Sequence, residues 1–292
     1  MPKQKVSVFI TDLDNTLFDW VDIWYQCFSA MLAEIVAISG LTSEELKSEI
    51  RSVHRRHGTS EYAFLIEELP SLRRIFPKSN LAEVFASAIG AFREARRTHL
   101  KLFPEVAETL LKIKGKGTAI VGYTESMAFY SNYRIRRLGL DGVIDVIYSP
   151  NDHILPLGLK PEDIRKYSAL AYKFKYTRER HTPVGELKPN PDILKSIMSD
   201  VGVTQENCLY LGDSLFKDVA MAKDVGVTSV WASYGGAQKR PEYELLREVT
   251  HWTDADVERE KDISSRDISA DFALKNSISE ILDLVDFIGA SN

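Results

Sequence analysis

Hydrophobic and polar positions divide the chain into two regimes. Near the start, Val6, Val8, Phe9 and Ile10 form a short run that stops at Asp12 and Asp14. A β-branched and aromatic run of that length predicts a buried strand. From Trp20 the spacing turns helical: Trp24, Cys27, Phe28, Met31, Leu32 and Ile35 recur at three and four residues and end before Gly40, a helix stop. Thr42 and Glu45 read as a capping box opening a second helix over 43–56. Further helices are expected over 60–68 and 81–97, with a turn near Pro77. No strand pattern occurs between Trp20 and Thr98, so 20–98 reads as an inserted helical domain of four or five helices.

Alternation then takes over. The pattern predicts a helix over 105–114, a strand over 118–123 ending at Thr124, a helix over 127–138 and a strand over 143–148. Residues 151–186, with Pro156, Pro161 and Pro183, read as an irregular insert carrying one possible helix over 161–173. Helices over 191–201 and 216–224 flank a strand over 208–211, and another strand follows over 228–231. The polar stretch 238–269 reads as surface loop with a helix over 241–249, followed by an edge strand at 272–274 and a closing helix over 278–288. Strands alternating with helices predict an α/β protein, a Rossmann-like doubly wound parallel sheet built from 1–19 and 99–292.

The bulk numbers narrow the classes. At 292 residues the chain is long enough for a core plus an accessory domain. A net charge of −5 gives no electrostatic footprint for nucleic acid. The two cysteines, Cys27 and Cys208, form no C-x-x-C pair and read as buried thiols. No apolar run is expected to reach the roughly 20 residues of a membrane span. The opening MPKQKVSVFITD lacks a signal peptide's apolar stretch, so a cytoplasmic protein is the default expectation.

Candidate chemistry gathers where strands end. Asp12 and Asp14 follow the first strand, Thr124 another, and Asp213, Ser214 and Asp218 a third, while Lys188 precedes a proline and a helix. Ligands of open α/β sheets bind outside the carboxyl ends of the strands. Carboxylates, a hydroxyl and an ammonium converging there suit magnesium-assisted attack on a phosphate: Mg²⁺ takes hard oxygen ligands and a carboxylate can attack phosphorus. Any one aspartate reads equally well as a turn or cap residue. The order and spacing of four pieces, DLDNT, Thr124, Lys188-Pro189 and GDSLFKD, point to a site.

On those four motifs the chain resembles haloacid dehalogenase superfamily hydrolases, a group made largely of phosphatases, and the helical insert is similar to the family's C1-type cap. The resemblance implies that Asp12 is the nucleophile and that Asp14 protonates the leaving oxygen and then activates water. It implies that Thr124 and Lys188 hold phosphoryl oxygens, and that Asp12, the Asp14 carbonyl and Asp213 bind Mg²⁺ with Asp218 and Thr16 in support. Asn15 stands where many relatives have glycine, and asparagine tolerates a left-handed backbone. Lys160-Pro161 is a second candidate for the lysine motif, although Lys188 fits the distance to Asp213 better. Relatives that cleave halides or phosphonates lack an acid at the Asp14 position, so its presence implies phosphate monoester cleavage. The substrate expected is a small phosphorylated metabolite, a nucleotide monophosphate or a sugar phosphate. A phosphomutase and a non-catalytic regulatory protein on the same fold stay open at this stage.

Other polar clusters read more simply. The run His54-Arg55-Arg56-His57 and the residues Arg93, Arg96 and Arg97 look like solvated helix faces. Trp20, Trp24 and Tyr25 suit either packing between helices or a cleft lining. His99, His153, His181 and His251 lack metal-ligand spacing.

Overall fold

The computed structural model describes residues 2–152, 154–155, 160, 168–236, 240–253, 255, 258 and 268–289. Two compact units emerge, one from 1–18, 102–236 and 266–292, the other from 19–101 and 237–265. The stretch read as surface loop around 241–249 therefore groups with the helices and not with the sheet. Residues 153, 161–167, 254, 256–257 and 259–267 lie outside the described residues, so His153 and most of the helix predicted over 161–173 do too.

The first unit is a parallel α/β sheet. After the short β1 (Lys5–Val6), strand β2 (Val8–Thr11) is buried at every position, as a central strand must be. The helical unit interrupts the chain here. Helices α1 (Trp20–Ser39), α2 (Ser43–His57), α3 (Leu65–Glu68), α4 (Pro70–Ile75), α5 (Leu81–Val84) and α6 (Ala86–His99) belong to it. The sheet unit resumes with α7 (Val106–Gly115), β3 (Ala119–Tyr123), α8 (Ala128–Arg137), β4 (Val146–Ser149) and β5 (Arg178–His181). It continues through α9 (Pro191–Val201), β6 (Cys208–Gly212), α10 (Ala220–Val225) and β7 (Thr228–Ala232). Helix α11 (Pro241–Val249) returns to the helical unit, and β8 (Phe272–Leu274), α12 (Ile281–Leu284) and β9 (Asp286–Phe287) complete the sheet unit.

Seven strands run in the order β5-β4-β3-β2-β6-β7-β8, every neighbouring pair parallel. The period of two sends Val8 and Ile10 to one face, where Val121, Tyr123, Val146 and Tyr210 meet Leu194 and Ile197 of α9 and Met221 of α10. Phe9 points the other way, its ring edge-on to Phe287. The chain moves from β2 to one side through β3, β4 and β5, then crosses back to β6 on β2's other side. That reversal is the switch point at which open α/β sheets bind ligands.

Several elements depart from the sequence reading. Strand β5 lies within the stretch read as an irregular insert; its residues are Arg, Glu, Arg and His, with no apolar signal to mark a strand. Residues 278–288 are not one helix: a short 3₁₀ turn and α12 give way to β9, which pairs with β1. The helix expected over 216–224 opens with a π-helical turn at Leu215–Val219.

In the helical unit, α1 begins on an Asp19 cap and ends at Gly40 with φ 72°. At 20 residues α1 is long and apolar enough to cross a membrane by length and composition, which corrects the expectation of no such run. Its apolar face, including Ile23, Trp24, Cys27, Phe28, Leu32 and Ile35, is buried. Trp24 stacks on Phe28 and donates to the Ser60 carbonyl, so packing is its observed use. The capping box of Thr42 and Glu45 opens α2. Residues of α2 read as a solvated face are largely engaged: His54 is buried beside the Val249 carbonyl, while Arg56 and His57 both meet Glu68. Arg240 at the head of α11 grips both oxygens of Asp19.

Candidate active site

Three adjacent strands deliver the site. Asp12 follows β2, Thr124 follows β3 and Asp213 follows β6, and the in-register pairing of Thr11 with Gly122 and Leu211 brings those ends level. Past β2 the backbone turns sharply, with Asn15 N–H donating to the Phe18 carbonyl and Leu17 N–H to the Leu13 carbonyl. Buried Leu13 and Leu17 pin the turn, and Asn15 takes φ 59°, the left-handed conformation its short side chain permits.

Asp12 and Asp14, two residues apart, have different partners. Asp12 accepts from Lys188 Nζ at 2.6 Å and from Thr16 Oγ1 at 3.1 Å. Asp14 accepts from Thr124 Oγ1 at 2.8 Å on one oxygen and from Arg134 Nη1 at 3.1 Å on the other. Lys188, buried between the Tyr123 and Tyr210 rings, also donates to Asp218 at 3.0 Å. Of the two candidate lysines it is the one beside Asp12; Lys160 is exposed.

Carboxylate oxygens of Asp12, Asp213 and Asp218 lie within 4.8 Å of one another. Asp218, read as a support, is part of this triplet, yet its own oxygens are already engaged by Lys188, the Tyr210 hydroxyl and the Ser214 N–H. Among the described residues only Lys188 makes an ion pair with these acids, and nearby Lys217 is paired with Glu125, so the group carries surplus negative charge. Burial, with Asp218 and Asp14 nearby, pushes Asp12 up to about 7 despite Lys188. Burial and the charges of Asp12 and Asp218 hold Asp213 well above the usual carboxylate range. Burial opposes the charge on Lys188, but Asp12 and Asp218 outweigh it and raise its pKa. Clustered hard oxygens with uncompensated charge fit a divalent cation such as Mg²⁺.

Sequence reasoning missed the groups that hold this arrangement. Glu125 accepts from the Lys188 backbone N–H at 2.8 Å and from Lys217 Nζ at 2.6 Å, and although burial would raise its pKa, Lys217 and Lys188 keep it low. Trp231 donates to the Asp213 carbonyl and Tyr234 to the Thr16 carbonyl, both at 2.8 Å. Gly235 admits the Asn15 carbonyl so closely that a Cβ there would sit 1.7 Å from its oxygen. Glu125 and Lys217 adjoin motif residues and could have been suspected; Arg134, Trp231 and Tyr234 carry no local signal.

Comparison with known proteins gives the family and the fold. A family model described as haloacid dehalogenase-like hydrolase matches residues 6–226. A glyceraldehyde 3-phosphate phosphatase from Pyrococcus furiosus is 24% identical over 242 residues, covering 80% of this chain and 82% of that protein. A protein of the same name from Methanopyrus kandleri is 22% identical, covering 77% and 83%. Among solved structures, a 2-haloacid dehalogenase from Pseudomonas syringae superposes with a TM-score of 0.55 at 20% identity, covering 96% of this chain and 97% of that one. A phosphatase from Thermococcus onnurineus gives 0.54 at 16% identity, covering 98% and 100%. At these identities the structural likeness speaks for the fold.

Proposed function

This chain belongs to the haloacid dehalogenase-like hydrolases, and on that premise we propose that it is a magnesium-dependent phosphatase acting on a small sugar phosphate through an aspartyl-phosphate intermediate. The observation that carries the reading is Asp12 at the carboxyl end of the central strand, ion-paired to buried Lys188, with a second acid, Asp14, two residues on. A halide leaves without a proton, so a site built only for halides has no use for Asp14; an alkoxide needs one.

In this reading a carboxylate oxygen of Asp12 attacks phosphorus and the bond to the substrate oxygen breaks. Asp14 gives that oxygen its proton, then as a carboxylate takes a proton from the water that attacks the phosphoryl group on Asp12. Lys188 and Thr124 donate to the phosphoryl oxygens, and Thr16 orients Asp12. Asp12, Asp213 and the Asp14 carbonyl would hold Mg²⁺, with Asp218 adjacent; the bound ion would neutralise charge on the phosphoryl oxygens.

Names of the relatives favour a sugar phosphate over a nucleotide monophosphate, so glyceraldehyde 3-phosphate is the first substrate to test. The experiment is phosphate release across sugar phosphates and nucleoside monophosphates, with Mg²⁺ and with chelator, for the parent and Asp12→Asn. Magnesium-dependent release lost in Asp12→Asn supports the reading; release that survives the substitution refutes it. Isomerised substrate without free phosphate would indicate a phosphomutase instead.

A further inference from the structure

We propose that Arg134 is a positioning residue for Asp14: it fixes one carboxylate oxygen so that the other faces the leaving group, making cleavage of esters with poor leaving groups depend on it. The inference rests on the phosphatase reading and names a group that reading does not use.

Arg134 lies on α8, ten residues beyond the strand end that carries Thr124, and is 3% exposed. A guanidinium so buried requires charged or polar partners. Its Nη1 lies 3.1 Å from Asp14 Oδ1 and 3.0 Å from Ser126 Oγ, while Thr124 Oγ1 donates to Asp14 Oδ2 at 2.8 Å. The anchoring loop is itself tied down: the Ser126 N–H donates to Thr124 Oγ1, and Ser131 Oγ donates to the Ser126 carbonyl. The permanently charged guanidinium therefore holds Asp14 through Nη1 from the last turn of α8, the same nitrogen being braced by Ser126 Oγ.

Thr124 has one hydroxyl proton. Once that proton is given to a phosphoryl oxygen, Thr124 no longer donates to Asp14, and the Arg134 contact remains. Oδ1 stays gripped, which leaves Oδ2 to carry the proton that the leaving oxygen takes as its bond to phosphorus breaks and the Asp12–phosphorus bond forms. An alcohol oxygen needs that proton, whereas p-nitrophenolate leaves almost as well without it. Loss of Arg134 should therefore be felt unequally across substrates. A fault in packing, in cation binding or in Lys188 would weaken both ester types alike.

The test compares kcat/KM, which reports phosphoryl transfer to the enzyme, for glycerol 3-phosphate and p-nitrophenyl phosphate. Arg134→Gln should lower it about 30-fold for the alkyl ester, a part of the 10²–10⁴ that general acid catalysis supplies, and only about threefold for the aryl ester. Arg134→Lys, which keeps a charge but not the fork, should recover part of the alkyl rate. Ser126→Ala, which removes the arginine's second anchor, should give the same contrast at smaller size, and it carries the test where Arg134→Gln does not fold. Equal losses on the two esters, or no loss on either, overturn the inference while the phosphatase reading stands. A parent protein that releases phosphate from neither ester nor from any sugar phosphate overturns both.

Discussion

Replacing Lys188 by methionine removes the ammonium that contacts Asp12 and Asp218 while nearly preserving side-chain length. Lys188 is 4% exposed and its Nζ lies 2.6 Å from Asp12 and 3.0 Å from Asp218. Removing one partner of a buried ion pair costs about 3–5 kcal/mol, because the other charge is left uncompensated. Two features move the figure in opposite directions. A second carboxylate loses its partner as well, which enlarges the cost. Asp12, already raised to about 7, can take up a proton and reduce it. The net expectation in chelator is a loss of about 3 kcal/mol at mildly alkaline pH and less at mildly acidic pH. A divalent cation then meets a more negative site and binds more tightly; at a hundredfold excess over its dissociation constant it returns about 2.7 kcal/mol. Lys188→Met should therefore be distinctly weaker than the parent in chelator and gain more from MgCl₂ than the parent does. Urea unfolding followed by far-UV circular dichroism reads both quantities. Equal stability in chelator, or a smaller gain from MgCl₂ in the variant, would refute the charge argument. Phosphatase activity should fall steeply in either case, since the same ammonium is assigned to the phosphoryl oxygens.

Two further predictions follow from the same geometry. In chelator the parent should lose stability relative to Asp12→Asn as pH rises from about 4 to about 7, because folded Asp12 holds its proton up to about 7 whereas the unfolded chain releases it near 3.8; the paired comparison cancels the opposite slope of buried His54, lowered to about 4, and MgCl₂ should flatten the difference in urea titrations. Gly235→Ala places a methyl against the Asn15 carbonyl, a clash with backbone that only movement of the Asp12–Phe18 turn relieves; calorimetry should give weaker Mg²⁺ binding and a stability cost of about 1–3 kcal/mol.

Much of the scaffold was legible because its signals are local. Val8 to Ile10 had nowhere to go but a buried strand, although Val6, read as part of the same run, breaks off at Ser7 into β1 and pairs with β9, and the strands ending at Thr124 and Gly212 carried the same apolar signature. The capping box at Thr42 and the stop at Gly40 also needed only a few residues of context. Strand β5 was invisible for the opposite reason: Arg178, Glu179, Arg180 and His181 pair at a sheet edge through their backbones, and edge pairing leaves no apolar mark. The end of the chain misled because Ile278, Ile281, Leu284 and Ile288 keep a near-helical spacing, while β1 offered a partner that sequence alone does not reveal.

The site divides in the same way. Asp12, Asp14, Thr124, Lys188 and Asp213 lie next to strand ends or in short motifs, so order and spacing brought them forward. The groups that hold them came from distant stretches: Arg134 reaches Asp14 across 120 positions, and Tyr234 reaches Thr16 across 218. Such contacts are products of the folded sheet, and a chemistry-bearing residue type at an unremarkable position gives no hint of them.

The account stands most directly on whether phosphate passes through Asp12. An acid-quenched reaction with p-nitrophenyl phosphate, whose leaving group needs no proton from Asp14, run with Asp14→Asn to slow the water step, should yield a peptide containing Asp12 that carries one phosphoryl group, absent when Asp12 is changed to asparagine. Steady phosphate release with that peptide unmodified, or undiminished release from Asp12→Asn, would contradict it.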